Sequence, residues 1–535
     1  MDNNINNIEY ELINVPDGLR VLNSDGNELS IGSYVDSEKI SVEYTGTPLD
    51  YFYIEVPMSV NGGWLTFTRA EGFGNNEKIY YSNSSDQFSD WEIFNGTINL
   101  KGGEKYFFKS NLLETEYDNG IGIFHVTDNQ HNNSSFTVGG NIASLISGDT
   151  YTNINRIPKG VFKNLFAGSK VNSAELLVFP ECTSSGCCYN MFIDCSNLLL
   201  GPVKLASNVF EEKCYSNMFL GCSNLSIAPN IYNGERFLKE CFNGMFSGCK
   251  MLEIAPEITM SIESDMNESC FSYMFNGCES LITAPELPAS GLAENCYSNM
   301  FAGCTSLTTA PELPATTLTP YCYQGMFKRC ASLTTAPDLP AKQLVGKCYY
   351  SMFEQCFVLT TLPNMSAIMC NGSSCCEKMF CDCRALVTVP KNYLYNITEL
   401  SESCYSQMFV NCFELTSAPD LPIMTLKKSC YSEMFSGCTS LSIAPSLPAN
   451  ILKENCYKNM FFECDSLSEI SFDGRYYNST NIDLSESNIT QACGGKLLNK
   501  GSGTCYIGTC NVKNAIKKVI PDSFAIRLFG GGMCN

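Results

Sequence analysis

Apolar residues recur in a fixed pattern between about residues 160 and 470. Counted from the first cysteine of each copy, they fall at positions 0, 1, 4, 5 and 8, with a leucine at position 11. At about 100° per residue the first five lie on one face, which predicts a short helical turn. The following Leu-Thr-Thr-Ala-Pro-x-Leu-Pro alternates as a short strand does, and its two prolines predict where that strand ends.

The dipeptide Met-Phe marks this unit eleven times, at intervals of 26 to 29 residues, from Met191 to Met460. A cysteine stands four residues before and four residues after each of these methionines. One unit cannot bury its apolar face alone, so the pattern predicts a solenoid of stacked coils. A degenerate copy from Val161 to Ser169 predicts an N-terminal capping coil. The longer intervals predict loops at residues 261–270 and 391–404.

In two adjacent full copies, the residues predicted to form ladders in the core share the Cys, Met-Phe, Cys and Leu positions of the unit. They are Cys296, Met300, Phe301, Cys304, Leu307, Cys322, Met326, Phe327, Cys330 and Leu333.

The unit resembles the leucine-rich repeat of the BspA type, found in bacterial and protozoal surface proteins. The resemblance rests on Met-Phe-x-Gly-Cys-x-x-Leu, then Pro-x-Leu-Pro, then a leucine before the next Cys-Tyr. It implies a solenoid with short parallel strands along one side, a role in adhesion or recognition, and a gut-bacterial or bacteriophage setting. The family usually has Ala-Phe where this chain has Met-Phe.

The chain before the array is rich in β-branched and aromatic segments separated by Asn, Gly, Asp and Ser, which predicts a β-sandwich. We divide the chain into an N-terminal β segment for attachment (1–60), a sandwich-like domain (61–150), the leucine-rich-repeat solenoid (151–472) and a C-terminal cap (473–535).

Composition narrows the function classes. Fifty-five acidic residues against 34 basic ones give a net charge of −21, which disfavours a nucleic-acid partner. No run of about 18 apolar residues predicts a membrane-spanning helix. The first residues lack the features of a conventional secretory signal, so we expect synthesis in a reducing cytoplasm and delivery to a virion, cell surface or the extracellular space by another route.

The 31 cysteines do not indicate catalysis or a metal site. A nucleophilic cysteine needs a neighbouring base, and the two histidines, His125 and His131, lie in the predicted β-domain. The C-x7-C spacing separates thiols too widely for zinc, so we expect buried thiol ladders, no metal and no cofactor. Cysteine replaces the repeat tyrosine at Cys188 and Cys376, so Cys182–Cys188 and Cys370–Cys376 are predicted disulfides after oxidation. The alternative is that cysteine fills the same apolar slot.

An acidic residue follows the first strand proline in four successive copies, at Glu257, Glu286, Glu312 and Asp338. Stacked coils would align these carboxylates about 5 Å apart. We expect this acidic strip to bind a basic or cation-bridged partner, with solvated charges as the alternative.

These observations predict a non-enzymatic recognition or adhesion protein, such as a bacteriophage fibre or decoration protein or a bacterial surface protein. Its partner would be a protein or a surface glycan on a cell, and self-association into a homo-oligomer is left open. The alternative function is a structural spacer that binds no ligand.

Overall fold

The computed structural model describes residues 51–60, 62–71, 77–83, 90–112, 116–154, 157–449 and 451–467. Outside these ranges it describes the backbone of short strands. Four of these precede the sandwich, and they pair antiparallel as β1 with β3 and β2 with β4. Their bounds are β1 Tyr10–Glu11, β2 Leu19–Leu22, β3 Tyr34–Val35 and β4 Ser41–Tyr44.

Two facing sheets form the β-domain. Its strands are β5 Phe52–Glu55, β6 Trp64–Arg69, β7 Ile79–Ser82, β8 Glu92–Ile93, β9 Thr97–Asn99, β10 Lys105–Ser110, β11 Gly122–Thr127 and β12 Phe136–Asn141. One sheet contains β12-β5-β10-β7-β8 and the other β11-β6-β9. The ring centroids of Phe108 and Phe124 lie 5.4 Å apart across the core. The all-β N-terminal region is therefore confirmed, and the boundary near residue 60 stays a prediction.

Among the described residues of this domain, helical structure is limited to three short segments. They are a 3-10 helix at Met58–Val60, helix α1 at Ser144–Ser147 and a second 3-10 helix at Gly148–Asn153.

The sandwich continues directly into the array through one strand. Strand β12 pairs antiparallel with β5 on one side and parallel with β13, Val171–Ser173, and β14, Leu177–Val178, on the other. The ring of Phe166 in the first coil lies 6.1 Å from Phe124 of the sandwich and 5.1 Å from Phe192 of the next coil. The two parts therefore share a sheet and a core.

Successive coils pair in parallel, as a solenoid requires. Most coils meet through a single bridging residue, as in the series Thr283, Thr309, Thr335 and Thr361. Longer strands also occur: β15 Lys204–Ala206, β16 Val209–Phe210, β17 Asn230–Phe237, β18 Ile258–Met266, β19 Gln343–Leu344 and β20 Met369–Cys370.

The long strands β17 and β18 correct one sequence prediction. Residues 261–266, predicted as part of a loop, belong to β18, which pairs in parallel with β17. Both coils carry Ala-Pro but lack the second proline of the unit. Because proline cannot donate to a ladder, its absence lets the strand extend.

The segment from the residue before the first cysteine to the second cysteine of each coil is here called the turn side. It is not helical. Every fourth residue takes a positive φ, as at Asn295 (56°), Asn299 (53°) and Gly303 (80°). A left-handed residue at that interval interrupts the right-handed run that a helix needs. The predicted helical turns are therefore wrong, although the chain does turn there.

Backbone amides on the turn side donate alternately to the next coil and to a residue of their own coil. The amide of Phe301 donates to the carbonyl of Met326 in the next coil at 2.9 Å, while that of Ala302 donates to Asn299 three residues back at 3.2 Å. The same alternation recurs along the array. Coils are therefore joined by backbone hydrogen bonds on the turn side as well as through the strand bridges.

Inside the coils, equivalent side chains stack in ladders. Phe275, Phe301 and Phe327 lie 5.6 and 5.7 Å apart with ring planes within 7° of parallel. All ten residues of the predicted core ladders are fully buried.

Three parallel strands follow the last described coil, β21 paired with β22 and β22 with β23. Their bounds are β21 Glu469–Phe472, β22 Thr504–Ile507 and β23 Ala525–Leu528. The rest of the predicted cap, 473–535, lies outside the described residues.

Candidate functional site

The first four full coils carry exposed aliphatic side chains along the strand side. Leu199, Ile227, Ile254 and Ile282, here called the aliphatic column, are 49%, 60%, 63% and 45% exposed. They stand at or immediately before the bridging position of successive coils. Single exposed aliphatic residues are common on soluble proteins, whereas neighbouring exposed aliphatic residues that form a patch mark binding surfaces.

Backbone hydrogen bonds between neighbouring coils hold the residues of the aliphatic column in place. The Ile227 amide lies 3.3 Å from the Leu199 carbonyl it donates to, and the Ile282 amide lies 2.9 Å from its acceptor, the carbonyl of Glu253. The column is therefore presented by rigid stacked backbone. The consensus copies of the repeat have threonine at the positions of the aliphatic column. The column is therefore visible in the sequence only when the individual copies are compared.

Threonine takes over the same positions in the middle coils. The pairs Thr308–Thr309, Thr334–Thr335 and Thr360–Thr361 are exposed. The hydroxyl of Thr360 donates to the Thr334 carbonyl at 3.3 Å. The strand side therefore changes from aliphatic in the first coils to hydroxylated in the middle coils, and later coils expose Val387 and Ile443 at these positions.

The four residues of the acidic strip are all exposed, at matching positions of successive coils. Glu312 and Asp338 line one shallow groove together with Thr309 and Thr335. Hydrogen bonds to asparagine mark both ends of the strip. At one end the Glu257 amide donates to Asn230 Oδ1 at 2.9 Å, and at the other Asn364 Nδ2 donates to Asp338 Oδ1 at 2.8 Å. Whether the strip binds a partner stays a prediction.

The second cysteine of each coil makes a specific bond. Its thiol donates to the phenylalanine carbonyl of the preceding coil, as from Cys304 to Phe275 at 3.1 Å and from Cys330 to Phe301 at 3.2 Å. Burial raises the pKa of Cys195 to about 12 and that of Cys304 well above its usual range. Such thiols remain protonated near neutral pH, so they are poor nucleophiles.

Two thiol clusters occur where cysteine interrupts the tyrosine ladder. In one, Cys370 Sγ lies 3.4 Å from the Tyr405 hydroxyl, and hydrogen bonds from the Cys375 and Cys404 thiols lower the pKa of Cys370. The pKa of Cys376 is raised by burial.

In the other cluster, Cys182 lies near Cys187, and burial raises the pKa of Cys182. The structure carries Cys182, Cys188, Cys370 and Cys376 as thiols. The two predicted disulfides stay predictions.

Within the described ranges, no group of three or more His, Cys, Asp and Glu side chains is placed to hold a metal ion. In those same ranges, no helix has the length and hydrophobicity needed to cross a bilayer.

Parallel pairing between coils and a leucine buried at the same place in each coil decide the class of the array. The array is a leucine-rich-repeat solenoid. No protein-family model matches the chain, and no curated protein matches it.

Three solved structures show a likeness to this leucine-rich-repeat solenoid. A leucine-rich repeat protein from Bacteroides ovatus is 18% identical, covering 65% of this chain and 87% of its own, with a TM-score of 0.30. The pneumococcal vaccine antigen PcpA is 13% identical, covering 78% and 96%, with a TM-score of 0.30. A leucine-rich cell surface protein from Faecalibacterium prausnitzii is 16% identical, covering 68% and 86%, with a TM-score of 0.28. At such TM-scores the likenesses carry no argument, and the solenoid assignment comes from the chain's own strand pairing.

Proposed function

We propose that this chain is a non-enzymatic recognition protein that binds a protein or glycan on a cell surface along the strand side of its solenoid. The aliphatic column is the observation that supports this most directly, because it leaves aliphatic side chains of four successive coils in water. Binding there would bury apolar area on a surface that is already ordered, which lowers the entropic cost of association.

The setting we propose is a bacteriophage virion, as a fibre or decoration protein, or a bacterial surface. Support comes from the BspA-type character of the repeat. The buried, protonated thiols agree with folding in a reducing cytoplasm before release.

A spacer function is the second candidate, and one observation favours it. The shared strand β12 and the phenylalanine ladder join the sandwich to the array without a flexible connection. A stiff rod of this kind can hold two attachments apart without binding anything along its side.

The deciding experiment measures binding of the tagged full-length chain to whole gut-bacterial cells. The variant Ile227→Thr with Ile254→Thr places the residue of the middle coils in the column, so its melting temperature should stay unchanged. We expect binding to weaken about tenfold, the equivalent of about 1.4 kcal/mol. The control Ile93→Thr makes the same change at an exposed isoleucine of the β-domain and should bind as the parent does.

Equal binding by the column variant would contradict a role for the column. The triple variant Glu286→Gln, Glu312→Gln, Asp338→Asn tests the acidic strip in the same assay, where unchanged binding would reduce that strip to solvated charge. If the parent chain binds no cell type tested, the spacer function is favoured. Light scattering on the same samples reports whether the chain self-associates.

A further inference from the structure

A polar cleft lies on the turn side, where the first coils meet the β-domain. The loop at Tyr117 and Asp118 of the β-domain forms one wall, and successive coils contribute Lys163, Tyr189 and Lys213 to the other. The Tyr117 amide donates to the Lys159 carbonyl at 2.7 Å. Both walls are therefore held by backbone, and the cleft exists before any ligand enters.

One glycine, Gly186, leaves space in this cleft. The position before the first cysteine of the unit is Gly160 in the capping coil and Gly186 in the next, whereas Lys213 occupies it in the coil after that. A Cβ added to Gly186 would meet no heavy atom within 4 Å. Later coils carry full side chains there at the same left-handed conformation, as Tyr321 does with φ 59°. The space at Gly186 is therefore set by the absence of a side chain, whereas glycine at Gly160 allows the Tyr117 carbonyl to approach more closely than a Cβ would permit.

Three lysines and two carboxylates, Asp118 and Glu240, line the cleft of a chain whose net charge is −21. The partner that the structure gives Lys163 Nζ is the carbonyl oxygen of Asp118 at 2.7 Å, which carries no formal charge. Lys159 Nζ stands 3.7 Å from Glu116 Oε2, and Lys213 Nζ stands 3.6 Å from Glu240 Oε2 and 3.7 Å from Glu212 Oε1. Those pairs are long and partly exposed, so they contribute little and yield readily to a better acceptor.

The remaining lining suits a sugar better than a bare anion. The Tyr189 ring lies beside Lys163, with Nζ 5.7 Å from the ring centroid, and offers an aromatic surface. Ser185, Asn217 and Asn243 add hydroxyl and amide groups that can donate and accept. A sugar presents hydroxyls to such groups and C–H surface to the ring, while a carboxylate on it would meet Lys163.

We propose that this cleft binds a saccharide bearing a carboxylate, such as a uronic acid, with Lys163 as the principal contact to the carboxylate. The proposal rests on the recognition function proposed above and deepens it by naming a ligand class at a second, separate surface.

The test uses calorimetric titration of the full-length chain with a glucuronic-acid-containing tetrasaccharide and with the same tetrasaccharide after reduction of its carboxyl groups. We expect the reduced form to bind at least about tenfold more weakly, and added salt to weaken binding of the acidic form. Lys163→Gln should weaken binding of the acidic form about tenfold and leave binding of the reduced form unchanged.

A cleft-filling variant supplies a matched pair. Gly186→Tyr fills the cleft with a tyrosine side chain, which should abolish binding. Tyrosine is chosen because Tyr321 occupies the same position in another coil. Asn295→Tyr makes the equivalent change on the turn side away from the cleft and should leave binding unchanged. If Gly186→Tyr lowers the melting temperature strongly, Lys163→Gln decides alone.

Equal affinity for the reduced tetrasaccharide, no effect of Lys163→Gln, or no binding of either sugar would each overturn the proposal. Preferential binding of an acidic peptide to the same cleft would overturn it in favour of a peptide site. The variant Ile227→Thr with Ile254→Thr should bind the tetrasaccharide as the parent does, so a failure of the aliphatic column and a failure of the cleft are distinguishable.

Discussion

The thiol of the second cysteine is a hydrogen-bond donor between coils as well as an apolar filler. Replacing Cys304 by serine or by alanine removes the sulfur volume in both cases, but only serine keeps a donor toward the Phe275 carbonyl. The Cys304→Ser variant should therefore exceed Cys304→Ala in unfolding free energy by about 1 kcal/mol. Cys214 is the control, because its Sγ lies 3.9 Å from the Cys241 carbonyl. Urea denaturation measures both pairs, and equal differences at the two sites would contradict a specific bond at Cys304.

Alkaline pH should destabilise the protein through the buried thiols at both cysteine positions of the coil. Burial raises the pKa of Cys195, Cys270 and Cys322 to about 12 in the folded chain, whereas an unfolded thiol ionises near pH 8.5. A raised folded pKa means that stability is fully present below the unfolded pKa and is lost as pH rises from there toward the folded pKa. The melting temperature, measured under reducing conditions, should fall steadily between about pH 8.5 and 10. A flat profile would show that the thiols are not buried as described.

At the scale of one coil, the left-handed residues set the shape of the turn side. Gly303 has φ 80°, and an added Cβ would come no closer than 3.5 Å to a neighbour, so Gly303→Ala should cost about 1 kcal/mol through backbone strain alone. Tyr273 has φ 58° at the position that Gly244 and Gly325 occupy in other coils, so Tyr273→Gly should stabilise slightly. Chemical denaturation checks both signs, and a loss of stability in the tyrosine variant would contradict strain at that position.

The coil period and the buried ladders were predictable from sequence because the same apolar set returns in every copy. The turn-side conformation was not, since Asn, Asp, Gln and Lys take the left-handed position as often as glycine does. An apolar stripe at helical spacing therefore looks the same whether or not a helix forms. The acidic strip was visible in the sequence, whereas the aliphatic column lies where copies depart from their consensus. The cleft is lined by Tyr117 of the β-domain and Lys213 of a later coil, and no local pattern predicts that they share a lining.

For the whole molecule, Phe166 is the residue where the sandwich and the array share a core. Phe166→Leu should weaken the packing there by about 1–2 kcal/mol and split thermal unfolding into two calorimetric transitions. Phe327→Leu makes the same change inside the array, where the ring stacks only on neighbouring coils, and should lower the midpoint without separating the sandwich. A single transition in both variants would indicate that strand β12 alone couples the two parts.

Each coil of the array is bonded to the coil before it and the coil after it, on the turn side and on the strand side alike. Duplicating or deleting one unit therefore exchanges one set of neighbour contacts for an equivalent set and disturbs nothing farther away. Unequal recombination within such a gene can lengthen or shorten the protein one coil at a time. Surface residues can then diverge between copies while the buried ladders stay the same. The binding surface of the array can therefore change during evolution while the fold is kept.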